Sequence, residues 1–131
     1  MERLKILVPC DPVPLARARF SGSHVYQPRR NREYRAIVQQ AARSAMNGRK
    51  PMTGEVTATV KLYRRYRPTT RIFGDVDNHL KAIFDGLNGI AIEDDAQIVR
   101  CLVEKFKDAK DPRAEITLES VTNFGDEGKD W

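Results

Sequence analysis

Two hydrophobic periods alternate along this chain, and the switches between them set the predicted element order. Residues 3–9, RLKILVP, read as a first strand ended by Pro9. Residues 10–31 are broken by prolines and a glycine, which predicts a loop with room for a short strand at HVYQ, 24–27. From 31 to 48, NREYRAIVQQAARSAMNG, the helical period takes over. Tyr34, Ile37, Val38, Ala41, Ala42 and Ala45 make one apolar stripe, with Asn31 placed to cap the helix and Gly48 to stop it. Residues 54–66 alternate: Val56, Ala58, Val60 and Leu62 face one way, Thr57, Thr59 and Lys61 the other, the pattern of a half-buried strand. A basic loop, 67–74, leads to a second helix from Val76 to Asn88, which Gly89 is placed to end. On a helical wheel Val76, Leu80, Ile83, Phe84 and Leu87 form its buried arc. Residues 96–108 and 113–121 read as strands, and the AKDP between them predicts a hairpin. The tail, 122–131, is expected to be flexible, although Phe124 and Trp131 could dock. The order β, loop, α, β, α, β, β predicts an α+β fold: a single domain over 1–131 with a mixed β-sheet and two main helices.

Length and composition narrow the class. A chain of 131 residues suits one domain and can bury roughly two-thirds of its unfolded surface, so it needs no covalent staples. No apolar run approaches the roughly 20 residues of a membrane span, so no membrane association is expected. MERLKILVPC carries charges where a secretory signal would be apolar, which points to a cytoplasmic location. Cys10 and Cys101 fall in strand-like stretches and are expected to be buried thiols. His24 and His79 lack neighbouring ligands, so zinc is not expected.

The net charge of +5 hides an asymmetry. Between Asp11 and Gly74 there are 14 Lys/Arg against Glu33 and Glu55, whereas from Asp75 onward 14 acids face 7 bases. The basic half could hold a phosphate-rich partner for the acidic half to work on; a lopsided solvated surface is the plainer alternative.

The acids gather around the second helix. Asp77, Lys81 and Asp85 are spaced i, i+4, i+8 and stack along one face, with Asn78 beside them. Helix ion pairs and an N-terminal cap account for some of this. They do not account for two acids and an amide in GDVDN together with three more acids in EDDAQ, where like charges repel unless a cation neutralises them. Oxygen ligands of this kind suit magnesium, and Asp-x-Asp before a helix plus a carboxylate before the next strand could form its cup.

These residues carry a resemblance. DVDNHLKAIFDGLNGIAIEDDAQI, 75–98, resembles the signature of the RusA family of Holliday junction resolvases, and PVPLARARFSGSHVYQP with YRAIV resembles the family's basic N-terminal region. The resemblance implies a small, magnesium-dependent, homodimeric endonuclease of bacteria and phages that resolves four-way DNA junctions in recombination and repair, with Mn²⁺ able to replace Mg²⁺. It implies that Asp75, Asp77 and Asp95 bind the metal, that Lys81 is the functional lysine, and that Asn78 and Asp94 support the site. Arg17, Arg19, Arg29, Arg30, Arg67 and Arg71 are the expected DNA-binding residues, with Arg32, Arg64 and Arg65 nearby. Tyr26 and Phe73 are candidates to stack on unpaired bases. A non-catalytic branched-DNA-binding module with a structural metal site remains the alternative.

Overall fold

The computed structural model describes residues 2–16, 19–22, 24–26, 28–65 and 76–121. Strand β1, Arg3–Val8, alternates in burial, and so does β4, Val56–Arg64. So does β6, Arg113–Ser120, whereas β5, Ile98–Lys107, is exposed along most of its length. These four strands form one sheet in the order β1-β6-β4-β5. β1 and β4 both run antiparallel to β6, and β5 runs parallel to β4. A short antiparallel ribbon, β2 (Arg19–Ser21) with β3 (His24–Tyr26), stands apart from the sheet. The fold is therefore α+β, with a mixed four-strand sheet and two helices, α1 (Arg29–Met46) and α2 (Val76–Leu87).

The expected hairpin between β5 and β6 does not form, because β4 lies between them. Burial explains the choice. Val56, Ala58, Val60 and Leu62 of β4, and Ala114, Ile116 and Leu118 of β6, are all at most 2% exposed and need neighbours on both sides. β5 offers no such row and goes to the edge. Its connection to β6 crosses the end of β4, where the Asp108 N–H donates to the Arg64 carbonyl at 2.8 Å.

One face of the sheet is covered by the helices. Tyr34, Val38, Ala42 and Met46 of α1 and Ile83, Phe84 and Leu87 of α2 pack there with Leu4, Ile6 and Val8 of β1. Each fully buried Val, Leu, Ile, Met or Phe among them contributes roughly 1.5–3 kcal/mol of transfer free energy. The α1 stripe is rotated from expectation: Ile37 is exposed, Ala41 and Ala45 are half-buried, and Met46 replaces them in the core. On α2, His79 and Ala82 are buried while Val76 and Leu80 are half-buried.

Asn31 is not the cap of α1. The helix begins at Arg29 after Pro28, without a side-chain cap. Asn31 is buried instead, where its Nδ2 donates to the Pro14 carbonyl at 2.9 Å and its Oδ1 accepts from the Ala16 N–H at 3.3 Å. The helix ends as expected, through Asn47 in the left-handed region and then Gly48. The cysteines also differ from expectation: Cys10 follows β1 half-buried and Cys101 is exposed on the edge strand. The flexible-tail expectation for 122–131, including Phe124 and Trp131, lies outside the described residues. Among the described residues no helix is long and apolar enough to cross a membrane.

Candidate nuclease site

Two anchored segments carry the expected site residues. The first is the loop after β1. The Leu15 N–H donates to the Asn78 carbonyl at 3.0 Å, tying this loop to the first turns of α2. The Asp11 carboxylate accepts from the Arg65 N–H at 3.1 Å, tying it to the end of β4, and Asn31 ties it to α1. Hence the start of α1, the end of β4 and the start of α2 converge on one loop.

Cations collect at this convergence. Arg29, Arg30 and Arg32 stand in the first turn of α1, which contains no acid. Basic side chains at a helix N-terminus oppose its dipole, so the arrangement costs stability in the free protein and favours an anion. Arg29 is steadied by Glu33, Nε to Oε1 2.8 Å. Burial lowers the Arg64 guanidinium below its ordinary range, an effect the Asp11 carboxylate opposes and the positive charge of Arg30 reinforces. Tyr34 lies beneath: burial drives its phenol well above the ordinary range, with smaller contributions from Cys10 and Asp11, and keeps it neutral.

At the start of α2, Asp77 and Lys81 are both exposed and form an i,i+4 ion pair, Nζ to Oδ2 3.2 Å. Asn78 is half-buried, its carbonyl committed to Leu15. Asp85, a turn further on, is half-buried and shares a cleft of about 100 Å³ with Asn31, Arg32 and Arg35 of α1.

The second segment carries Asp94 and Asp95. A one-turn 3-10 helix, Asp95–Gln97, precedes β5. Asp94 caps it by accepting the Ala96 N–H at 2.9 Å. Gln97 holds the whole turn in place. Its Oε1 accepts from the N–H groups of Glu93 and Asp94 at 2.7 and 3.0 Å, and its Nε2 donates to the carbonyls of Met52 and Gly54, both at 2.8 Å. Gln97 falls within the EDDAQ motif, but the motif alone assigns it no role. Its signal is the pairing of an Asp with a Gln three residues later, the spacing of a capping box.

These two segments sit at opposite ends of α2. Asp77 is in its first turn. At its other end the Leu87 carbonyl accepts from the Ala91 N–H, and the Ala91 carbonyl from the N–H of Met52, which Gln97 also engages. A helix of 12 residues is about 18 Å long. Among the described residues no three His, Cys, Asp or Glu side chains are grouped to hold a metal ion. Asp75 lies outside the described residues, as do Arg17, Arg67, Arg71 and Phe73; nothing is described of the Arg19 and Tyr26 side chains. Asp77 and Asp95 each present an exposed carboxylate, the oxygen donor that magnesium takes, but at opposite ends of α2, so the described residues of one chain do not form a shared ion site.

The described structure is a small mixed-sheet domain in which arginines at the start of α1 stand near the exposed Asp77–Lys81 pair at the start of α2. In comparison with known proteins, residues 9–119 match the family described as Endodeoxyribonuclease RusA. The chain belongs to that family. It is also 30% identical over 145 aligned positions to a protein of Bacillus subtilis (strain 168) called "Uncharacterized protein YqaN", covering 93% of this chain and 99% of that one.

Proposed function

We propose that this protein is a magnesium-dependent endodeoxyribonuclease that resolves four-way DNA junctions by paired phosphodiester hydrolysis, acting as a symmetric homodimer. The observation that carries this reading is the convergence of Arg29, Arg30, Arg32 and Arg64 on the end of α2 that bears Asp77 and Lys81.

The arginines bind backbone phosphates and fix the strand's position; they carry no sequence information. Asp75, Asp77 and Asp95 are the residues that would hold Mg²⁺, with Mn²⁺ an acceptable substitute and Asn78 and Asp94 in support. Such an ion, when bound, supplies water activation at neutral pH and charge neutralisation at the scissile phosphate. Lys81 can exchange Asp77 for that phosphate at little cost, because an exposed i,i+4 pair is worth only about 0.3–0.5 kcal/mol. A two-fold dimer matches the two-fold symmetry of a junction and the need for paired cuts. Since Asp77 and Asp95 occupy opposite ends of α2 in one chain, two copies side by side also offer the most direct way to assemble a full carboxylate set.

The test is a nicking assay on a synthetic four-way junction, with Mg²⁺ present or chelated. Symmetric nicks that require the metal, and their loss in Asp77→Asn with junction binding retained, support the reading. Wild-type protein that binds junctions and never cuts with either Mg²⁺ or Mn²⁺ replaces it with the non-catalytic module.

A further inference from the structure

β5 is an edge strand of unusual composition. Among the described residues no strand pairs with its outer side. It runs for ten residues without proline. Of the five large apolar side chains that stand exposed among the described residues, it carries three: Val99 at 51%, Leu102 at 55% and Phe106 at 39%. Edge strands are normally blunted by charges and bulges; β5 carries Arg100, Glu104, Lys105 and Lys107 and a bulge near Val99, yet its three exposed apolar side chains leave it able to pair with a strand of matching pattern.

We propose that β5 pairs antiparallel with β5 of a second copy, about a two-fold axis through Leu102, giving one continuous eight-stranded sheet. The inference rests on the dimeric reading above and names its interface. The occupant follows from the strand's own charges. Because β5 is parallel to β4, Arg100, Leu102, Glu104 and Phe106 share the open face of the sheet with Thr57, Thr59, Lys61 and Tyr63. An axis normal to the sheet keeps each face on its own side, so it must pass through a residue rather than between two.

Few choices remain. An axis at Arg100 or at Glu104 sets like charges directly opposite, and one at Cys101 or Val103 sets Leu102 against a charge. At Leu102 the two leucines meet on the axis, and Arg100 faces the partner's Glu104 on both sides of it. Opposite charges and apolar pairs placed directly across a ladder are the stabilising combinations. The ladder shifts register between Val56 and Thr57 of β4, which leaves Val99 bulged. Val99 then falls beside the partner's Phe106, itself stacked on Tyr63 with centroids 5.0 Å apart. The partner's Asp95 turn, which leads into its β5, is thereby carried to the end of the sheet where β4 finishes and the arginines gather.

The experiment uses the full chain without DNA or metal, so its outcome is independent of whether the protein cuts. In a Cys10→Ser, Cys101→Ser background, Leu102→Cys is expected to oxidise to a covalent dimer. By sedimentation, Arg100→Glu and Glu104→Arg should each raise the dimer dissociation constant about tenfold or more, and the double exchange should restore it. Thermal melts of each variant distinguish weakened association from failure to fold. A monomer at all concentrations overturns the proposal. So does a dimer in which Leu102→Cys fails to cross-link and the charge exchanges are silent. So, too, does a dimer dissolved by Leu7→Arg or Ile37→Arg on the far edge but not by the β5 variants.

Discussion

Gly86 of α2 packs directly against Val38 of α1: a Cβ at Gly86 would stand 2.6 Å from the Val38 Cβ. The hydrogen at this position is what lets the two helices close. Gly86→Ala should therefore destabilise the domain by about 1–3 kcal/mol, although alanine is the better helix former. Urea unfolding measures it, and Val38→Ala in the same chain should recover part of the loss.

Gln97 is expected to matter more for cutting than for binding. Gln97→Ala removes four hydrogen bonds that position Asp94 and Asp95 over the 52–54 segment. Each such bond is worth about 0.5–1.5 kcal/mol net. Single-turnover cleavage should fall at least tenfold while junction affinity stays within a factor of two or three, since the segments that carry the arginines are anchored by the loop after β1 and not by Gln97.

Salt dependence should count the phosphate contacts. Arg30→Ala and Arg32→Ala should weaken binding to every DNA tested alike. Each should also reduce the slope of log affinity against log salt by about 0.9. Binding titrations at several salt concentrations check this. A change confined to one sequence would argue against a backbone contact.

Asp108 gives a pH signature. N–H groups of Asp111 and Lys110 and the Arg113 guanidinium hold its carboxyl below the ordinary carboxylate range, the Asp111 bond most strongly. A lowered folded-state pKa means that stabilisation is complete above the unfolded pKa and is lost as pH falls through the folded one. Asp108→Asn should therefore lower the melting temperature at pH 7, and the gap to wild type should shrink below about pH 4. Melting curves across this range provide the check.

Much of this architecture is legible in the sequence, but unevenly. The alternation of Val56, Ala58, Val60 and Leu62 announces β4, and the Asp77-to-Lys81 spacing announces their ion pair, because both follow from local periodicity. The partner of β5 is not legible in the sequence, because strand neighbours are settled by competition for the buried centre of the sheet, which no single segment reveals. Asn31 reads as a cap because it precedes an apolar stripe; the helix in fact starts earlier, and the amide serves a loop 15–17 residues upstream. The separation of Asp77 from Asp95 by the length of α2 is likewise a property of topology, invisible to a motif read as a line.

The pairing of Arg3 with Glu119 joins positions separated by nearly the whole described chain. Such a contact can form only after most of the described chain exists, and pairing across so long a separation must first meet the entropy cost of closing that loop. During synthesis Leu4, Ile6 and Val8 must wait for Ala114, Ile116 and Leu118 to leave the ribosome. A nascent chain stalled before β6 would hold its first strand without a neighbour, open to aggregation or to a chaperone.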